Sequence, residues 1–206
     1  MSLARHAEKA GADALLTVTG YYNKPSQRGL IAHFTAVHDA VGLPLILYNV
    51  PARTQSDIQI DTLGELSRLE RVIGVKDATA ALARVPLQRL ACEDGFIQLS
   101  GEDGTAVGFN AMGGKGCISV TANVAPDLCA QMQEACLDGD WDTALGLQDR
   151  LTPLNDALFA DTSPGPVKYA MSRLGLCSDE IRLPLVAASD TARRKVDAAL
   201  AGLGLI

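Results

Sequence analysis

The chain has 206 residues, of which 48% are hydrophobic, 20% are charged and only 4% are aromatic. This length supports one sizeable core, built mainly from Ala, Leu, Val and Ile. The net charge of -6 argues against a general nucleic-acid binder, which needs a basic surface. No apolar run is long enough to cross a membrane and the start lacks a secretory pattern, so we expect a cytoplasmic protein that binds neither nucleic acid nor membranes.

Short apolar runs alternate with amphipathic segments over the first part of the chain. The runs cover residues 14–19, 43–50, 71–76, 95–100 and 116–120. Their richness in Val, Ile and Leu is typical of strands buried on both faces. The helical patterns between them cover residues 26–41, 61–69, 82–92 and 103–112, with Ser26 placed to cap the first. This alternation predicts parallel βαβ units.

The pattern changes after the fifth run. From Ala125 onward only helical stretches follow, and they cover residues 126–138, 141–159, 164–174 and 190–202. We therefore predict two parts, an α/β region over 1–124 that carries the active site and a C-terminal helical region over 125–206. The five cysteines are odd in number and form no CxxC pair, which favours reduced thiols over a disulfide framework.

Two architectures fit a run of parallel strands. A dinucleotide-binding open sheet should show GxGxxG after its first strand, but here that strand ends in TVTGYYN. A complete (β/α)8 barrel needs eight strands and about 250 residues, whereas five strands are predicted. The strand count leaves both architectures open.

The residues at the strand ends carry the chemical information. Lys76 ends the third strand, and strict alternation would place Val72, Gly74 and Lys76 on one face with Gly74 leaving space beside the lysine. A lysine in apolar surroundings loses its charge more easily, and the free amine can attack a carbonyl carbon. The alternative is a strand-end lysine whose amine reaches solvent.

Two further strand-end residues complete a candidate set. Tyr48 ends the second strand and can exchange a proton with an intermediate, or it can pack its ring and hydrogen-bond its hydroxyl. Arg53 follows a proline in the next loop and can bind a carboxylate in a forked geometry, or pair with a surface acid. A nucleophile, a proton carrier and a carboxylate-binding group at successive strand ends favour an active site.

At this point the sequence resembles a known family. The segments TVTGYYNKPSQRGL, LPLILYNVPART, IGVKDAT, LSGEDGTAV, GCISVTANVAP and PGPVKYAMSRLGL resemble dihydrodipicolinate synthase. The resemblance implies a TIM barrel of the class I aldolase type. It also implies a lyase that condenses pyruvate with L-aspartate 4-semialdehyde to 4-hydroxy-tetrahydrodipicolinate, in lysine and diaminopimelate biosynthesis. Family members are homo-oligomers, dimers or tetramers.

The resemblance also implies roles for individual residues. Lys76 would form the Schiff base with pyruvate, so that no separate cofactor is needed, and Tyr48 would shuttle protons. Arg53 would hold the semialdehyde carboxylate, and Tyr22 would reach the active site of a neighbouring subunit. Gly101 and Ile118 would line the pyruvate pocket. The sequence shows no HExxH motif and no other cluster with metal-ligand spacing, so we expect no metal.

Two departures from the family pattern stand out. Gly20 replaces the proline that usually precedes the tyrosine pair, and the family's Gly-Thr-Thr-Gly-Glu loop has no counterpart. By the resemblance the chain begins within the third barrel helix, which makes it an N-terminally truncated barrel of about five strands. Because five strands cannot close such a barrel, we expect this chain alone to be inactive or very weak.

Two other functions stay open. One is a sister activity that uses the same Schiff base, such as N-acetylneuraminate lyase or a 2-keto-3-deoxy sugar acid aldolase. Those enzymes typically lack the arginine that Arg53 matches. The other is a non-catalytic truncated remnant that acts as an interaction module.

Overall fold

A four-stranded parallel sheet with the strand order β1-β2-β3-β4 forms the centre of the first part of the molecule. The computed structural model describes residues 1–206 and divides into two units, 1–118 and 119–206. The strands are β1 (Leu15–Val18), β2 (Leu45–Asn49), β3 (Val72–Asp77) and β4 (Ile97–Ser100). The first four predicted strands are therefore present, within a few residues of the predicted bounds.

The fifth predicted strand, 116–120, is wrong. Cys117 forms only an isolated bridge to Ser100, with the Ile118 amide donating to the Ser100 carbonyl at 2.9 Å. The physical reason is that β4 ends at Ser100, so the segment finds only one strand residue opposite it. The apolar composition predicted a buried strand here, whereas all five residues of the segment are only partly buried.

The helices of the first unit precede, separate and follow the strands along the chain. They are α1 (Ser2–Lys9), α2 (Gln27–His38), α3 (Pro51–Thr54), α4 (Ile60–Ser67), α5 (Arg84–Ala91) and α6 (Ala106–Ala111). The predicted cap is confirmed, because the Ser26 hydroxyl accepts from the Gly29 amide at 3.2 Å. The predicted helix 103–112 is split into a 3-10 turn, Asp103–Thr105, and α6. The single turn α3 was not predicted.

The hydrophobic core of this unit lies on one face of the sheet. Its buried members from the strands and helices include Leu15, Leu30, Phe34, Leu45, Leu47, Leu63, Leu66, Val72 and Val75. Each fully buried leucine contributes about 1.5–3 kcal/mol through removal of apolar surface from water. The opposite face of β2 and β3 holds Tyr48 and Lys76, which are only partly buried.

The predicted alternation along β3 fails at its first residue. The register shifts so that Leu45 pairs with Val72 but Ile46 pairs with Gly74, which leaves Ile73 as an extra residue. Because of this bulge, Val72 joins Val75 in the core and does not share the face of Lys76. The space at Gly74 is also not beside the lysine, since a Cβ there would lie 2.5 Å from the Ile97 carbonyl oxygen.

The second unit is helical, as predicted. It contains a 3-10 turn (Thr121–Asn123) and the helices α7 (Pro126–Asp138), α8 (Trp141–Ala157), α9 (Gly165–Arg173) and α10 (Asp190–Gly202). Helix α7 is followed by Gly139, whose φ of 77° is the left-handed conformation that glycine adopts without strain. No helix of the chain is long and apolar enough to span a bilayer.

Candidate active site

Tyr48 and Lys76 occupy paired positions on adjacent parallel strands. Paired residues point to the same face of a sheet, and the Lys76 Nζ lies 4.2 Å from the centroid of the Tyr48 ring. The sequence predicted two neighbouring strand ends. The structure adds that the amine rests on the phenol ring itself, which is the arrangement of a cation–π contact when the amine is charged.

Burial decides the protonation behaviour of the pair. Removal from water lowers the pKa of Lys76 below its ordinary value, because the charged ammonium loses hydration. Cys117 and Asp103 act in the opposite direction, but burial is the larger effect. Burial also raises the pKa of Tyr48, against a smaller lowering by the Arg53 charge. Both shifts favour the neutral form of each group relative to the same group in water.

Gly101 lies against the lysine side chain. A Cβ at this position would fall 2.9 Å from Lys76 Cε and 2.7 Å from the Ala78 Cβ, so any side chain would collide with the chain that carries the amine. Its neighbour in the predicted pocket, Ile118, is held by the hydrogen bond from its amide to the Ser100 carbonyl. The end of β4, which pairs with β3 beside Lys76, therefore positions both Gly101 and Ile118.

Arg53 stands on the single turn α3 that follows β2. Pro51 begins this turn and Gln55 ends it in a left-handed conformation, with φ at 56°. The Arg53 side chain is exposed, and its charge offsets part of the rise that burial gives to the pKa of the Tyr48 phenol. The structure thus places a cation at the solvent side of the Tyr48–Lys76 pair.

Tyr22 is not brought to the pair within the chain. Its side chain is 91% exposed and that of Tyr21 is 80% exposed, whereas tyrosine is on average of intermediate burial. Tyr22 also has a φ of 75°, a conformation that is uncommon for residues other than glycine. The loop after β1 therefore presents two tyrosine rings to the surroundings.

A buried polar network behind the pair was not predicted. Asp77, which follows Lys76, is 3% exposed and Asn49, which follows Tyr48, is 1% exposed. Arg84 forms ion pairs at 3.1 Å with both Asp77 and Asp57. The signal in the sequence was the polar residue directly after Tyr48 and directly after Lys76, at a position that must face the opposite side of the strand.

The structure contains no group of three or more His, Cys, Asp or Glu side chains arranged to hold a metal ion. All five cysteines are free of disulfides, and of these Cys117 is partly buried and acts on Lys76.

An α/β fold with a partly desolvated lysine beside a tyrosine, at the carboxyl ends of parallel strands, defines a class of protein. It is the class in which a lysine amine attacks a carbonyl carbon. The model of the dihydrodipicolinate synthetase family matches residues 1–203. The chain belongs to this family.

Individual relatives agree with the family match. The 4-hydroxy-tetrahydrodipicolinate synthase of Parvibaculum lavamentivorans is 62% identical over all of this chain and 71% of its own length. The dihydrodipicolinate synthase of Acinetobacter baumannii, in a crystal structure with pyruvate, is 40% identical with a TM-score of 0.96, over 100% of this chain and 70% of its own. The enzyme of Aquifex aeolicus is 38% identical with a TM-score of 0.96, over 99% and 70%.

Proposed function

We propose that the chain carries out 4-hydroxy-tetrahydrodipicolinate synthase chemistry, in which pyruvate forms a Schiff base on Lys76 and then condenses with L-aspartate 4-semialdehyde, and that turnover by this chain alone is very weak. The observation that carries this proposal is the contact of the Lys76 amine with the Tyr48 ring, 4.2 Å from its centroid. The names of the relatives at up to 62% identity support it, and the Acinetobacter baumannii enzyme was crystallised with pyruvate.

Schiff-base formation requires an unprotonated amine and a proton carrier. The lowered pKa of Lys76 increases the neutral fraction that can attack the C2 carbonyl of pyruvate. The product of attack is a carbinolamine, which loses its hydroxyl as water when a proton is supplied to that oxygen. Tyr48 is the adjacent group with a proton to give, and its raised pKa keeps the phenol protonated at neutral pH.

The carbon–carbon bond forms in the next stage. Loss of a proton from C3 of the imine gives an enamine, and its C3 attacks the aldehyde carbon of the semialdehyde, whose oxygen takes up a proton. Arg53 is placed on the solvent side, where its guanidinium can bind the carboxylate of the second substrate. Gly101 and Ile118 line the pocket for pyruvate.

The architecture and assembly belong to the same proposal. We interpret the parallel sheet as part of a (β/α)8 barrel of the class I aldolase type, with residues 1–124 as the barrel part and 125–206 as the helical part. The exposed Tyr22 supports a homo-oligomer in which this ring enters the active site of another subunit. One related structure is described as a monomeric variant, so the assembly is to be measured for each protein.

The test of the Schiff base is intact mass after incubation with pyruvate and borohydride. We expect one reduced adduct on the wild-type chain, none on Lys76→Ala, and the adduct retained on Lys115→Ala, which removes an exposed lysine of the same unit. Absence of an adduct on folded wild-type chain would favour the non-catalytic interaction module instead.

The identity of the second substrate needs its own assay. Product formed from pyruvate and aspartate semialdehyde would support the proposed reaction. Cleavage of N-acetylneuraminate or of a 2-keto-3-deoxy sugar acid, without reaction of the semialdehyde, would assign the chain to a sister aldolase. Arg53 is the residue that favours the first outcome, because its guanidinium suits a substrate with a carboxylate at that position.

A further inference from the structure

The ends of β2 and β3 are tied together on the face opposite the active site. Asn49 and Asp77 are paired in the register, and each directly follows one member of the Tyr48–Lys76 pair. Alternation along the strands turns both polar side chains away from the amine and the phenol. Both are buried, so their hydrogen bonds must be satisfied inside the protein.

Arg84 joins the two strand ends. Its Nε donates to Asp77 Oδ2 at 3.1 Å and its Nη1 donates to Asp57 Oδ2 at 3.1 Å. Asp57 in turn accepts from Asn49 Nδ2 at 2.7 Å, and Arg84 Nη2 donates to the Ile58 carbonyl at 2.7 Å. A rigid guanidinium thus contacts three groups at fixed angles, which a single ammonium group cannot do.

The Asp77 carboxylate is fully engaged in this network. Besides Arg84 it accepts from Gln88 Nε2 at 2.6 Å, and from the Thr79 amide and hydroxyl at 2.9 and 2.6 Å. The titratable groups that act on Lys76 are instead Cys117 and Asp103, with Tyr48 beneath its amine. A buried carboxylate therefore sits one residue from the lysine without turning toward it.

We propose that Arg84 and Asp57 are positioning residues for the Tyr48–Lys76 pair. Neither touches the pair. Together they fix the distance between the strand ends, so that the amine stays on the phenol ring and out of water. The proposal rests on the proposed function for its catalytic meaning, but the placement of the amine can be measured without any substrate.

The test is competitive acetylation of the chain with acetic anhydride across a pH series, with the modification of Lys76 read by peptide mass spectrometry. Asp57→Ala is the decisive variant, because its charge effect and its positional effect have opposite signs. Loss of a negative charge alone would lower the midpoint pH for Lys76, whereas loosening of the strand ends hydrates the amine and raises it. We expect a rise of about half a pH unit.

Two other variants complete the design. Arg84→Met should raise the midpoint by at least as much, and Arg89→Met is the matched control. Arg89 lies on the same helix but donates to the Met112 carbonyl, away from the network, so its loss should leave the Lys76 midpoint in place. Circular dichroism of each variant establishes that it is folded. Because Asp57 is 42% exposed, Asp57→Ala should disturb the packing less than Arg84→Met does.

A midpoint for Asp57→Ala that is lower than or equal to the wild-type value would overturn the proposal, and so would an equal shift in Arg89→Met. These outcomes are separate from the proposed function, which depends on whether the wild-type chain forms a pyruvate adduct. A chain without the adduct but with the predicted shifts would keep the positioning role and lose the enzymatic one.

Discussion

Gly101 is packed so closely against Lys76 that a Cβ on the glycine would lie 2.9 Å from the lysine Cε. Such a distance is well inside van der Waals contact, and the same Cβ would meet the Ala78 Cβ at 2.7 Å. The glycine therefore decides where the amine can be.

Gly101→Ala should therefore displace the lysine side chain. We expect the rate of pyruvate adduct formation to fall at least about tenfold, with a stability loss of about 1–3 kcal/mol from overpacking. Gly146→Ala is the matched control, since a Cβ there meets nothing within 4 Å and alanine favours the helix by about 0.5–1 kcal/mol. An unchanged rate in folded Gly101→Ala would contradict the role of this contact.

Tyr48→Phe separates the ring from the hydroxyl. The ring that supports the amine remains, so we expect the final amount of trapped adduct to be retained. The rate of its formation should fall about 10²-fold, because proton transfer by a positioned group contributes about that factor or more. Borohydride trapping at a series of times measures both the rate of adduct formation and its final amount. If rate and final amount fall together, the ring position and not the proton transfer has been damaged.

The sequence alone predicted only those residues of the candidate site that lie at the ends of strands. Lys76 and Tyr48 were assigned to neighbouring strand ends from two buried runs, and the register pairs them directly. Simple alternation along the strand could not show that Ile73 is an extra residue. Because of this residue, the Val72 side chain lies in the core. A bulge depends on the partner strand, and no local pattern of one strand encodes it.

The polar network was hidden for a related reason. Arg84 lies seven positions beyond Asp77 and 27 beyond Asp57, and the three residues lie on a helix, a strand and a loop, so no single periodicity relates them. Only the packing of α5 against the strand ends brings the three charges together.

Gly74→Ala should destabilise the sheet. The new Cβ would lie 2.5 Å from the Ile97 carbonyl oxygen and 2.9 Å from the Ile97 Cβ, so β3 and β4 would have to move apart. We expect a loss of about 2–4 kcal/mol in the free energy of unfolding, measured by urea denaturation. Gly202→Ala adds the same methyl where nothing lies within 4 Å, and a loss of similar size there would rule out the strand contact as the cause.

Lys76 should make the fold less stable at neutral pH than an apolar residue would. Its pKa is lowered in the folded chain, so the unfolded chain binds more protons between the folded pKa and the ordinary value of 10.5. Stability then rises with pH through that window. Lys76→Met removes the titration, and we expect it to be more stable than wild type at pH 7, by less than about 1 kcal/mol because the amine is partly hydrated. The difference should shrink as the pH approaches the ordinary lysine value. Urea unfolding of both proteins across this range measures it, and a gap that widens with pH would mean that the amine is held as a stabilised ammonium, with no advantage as a nucleophile.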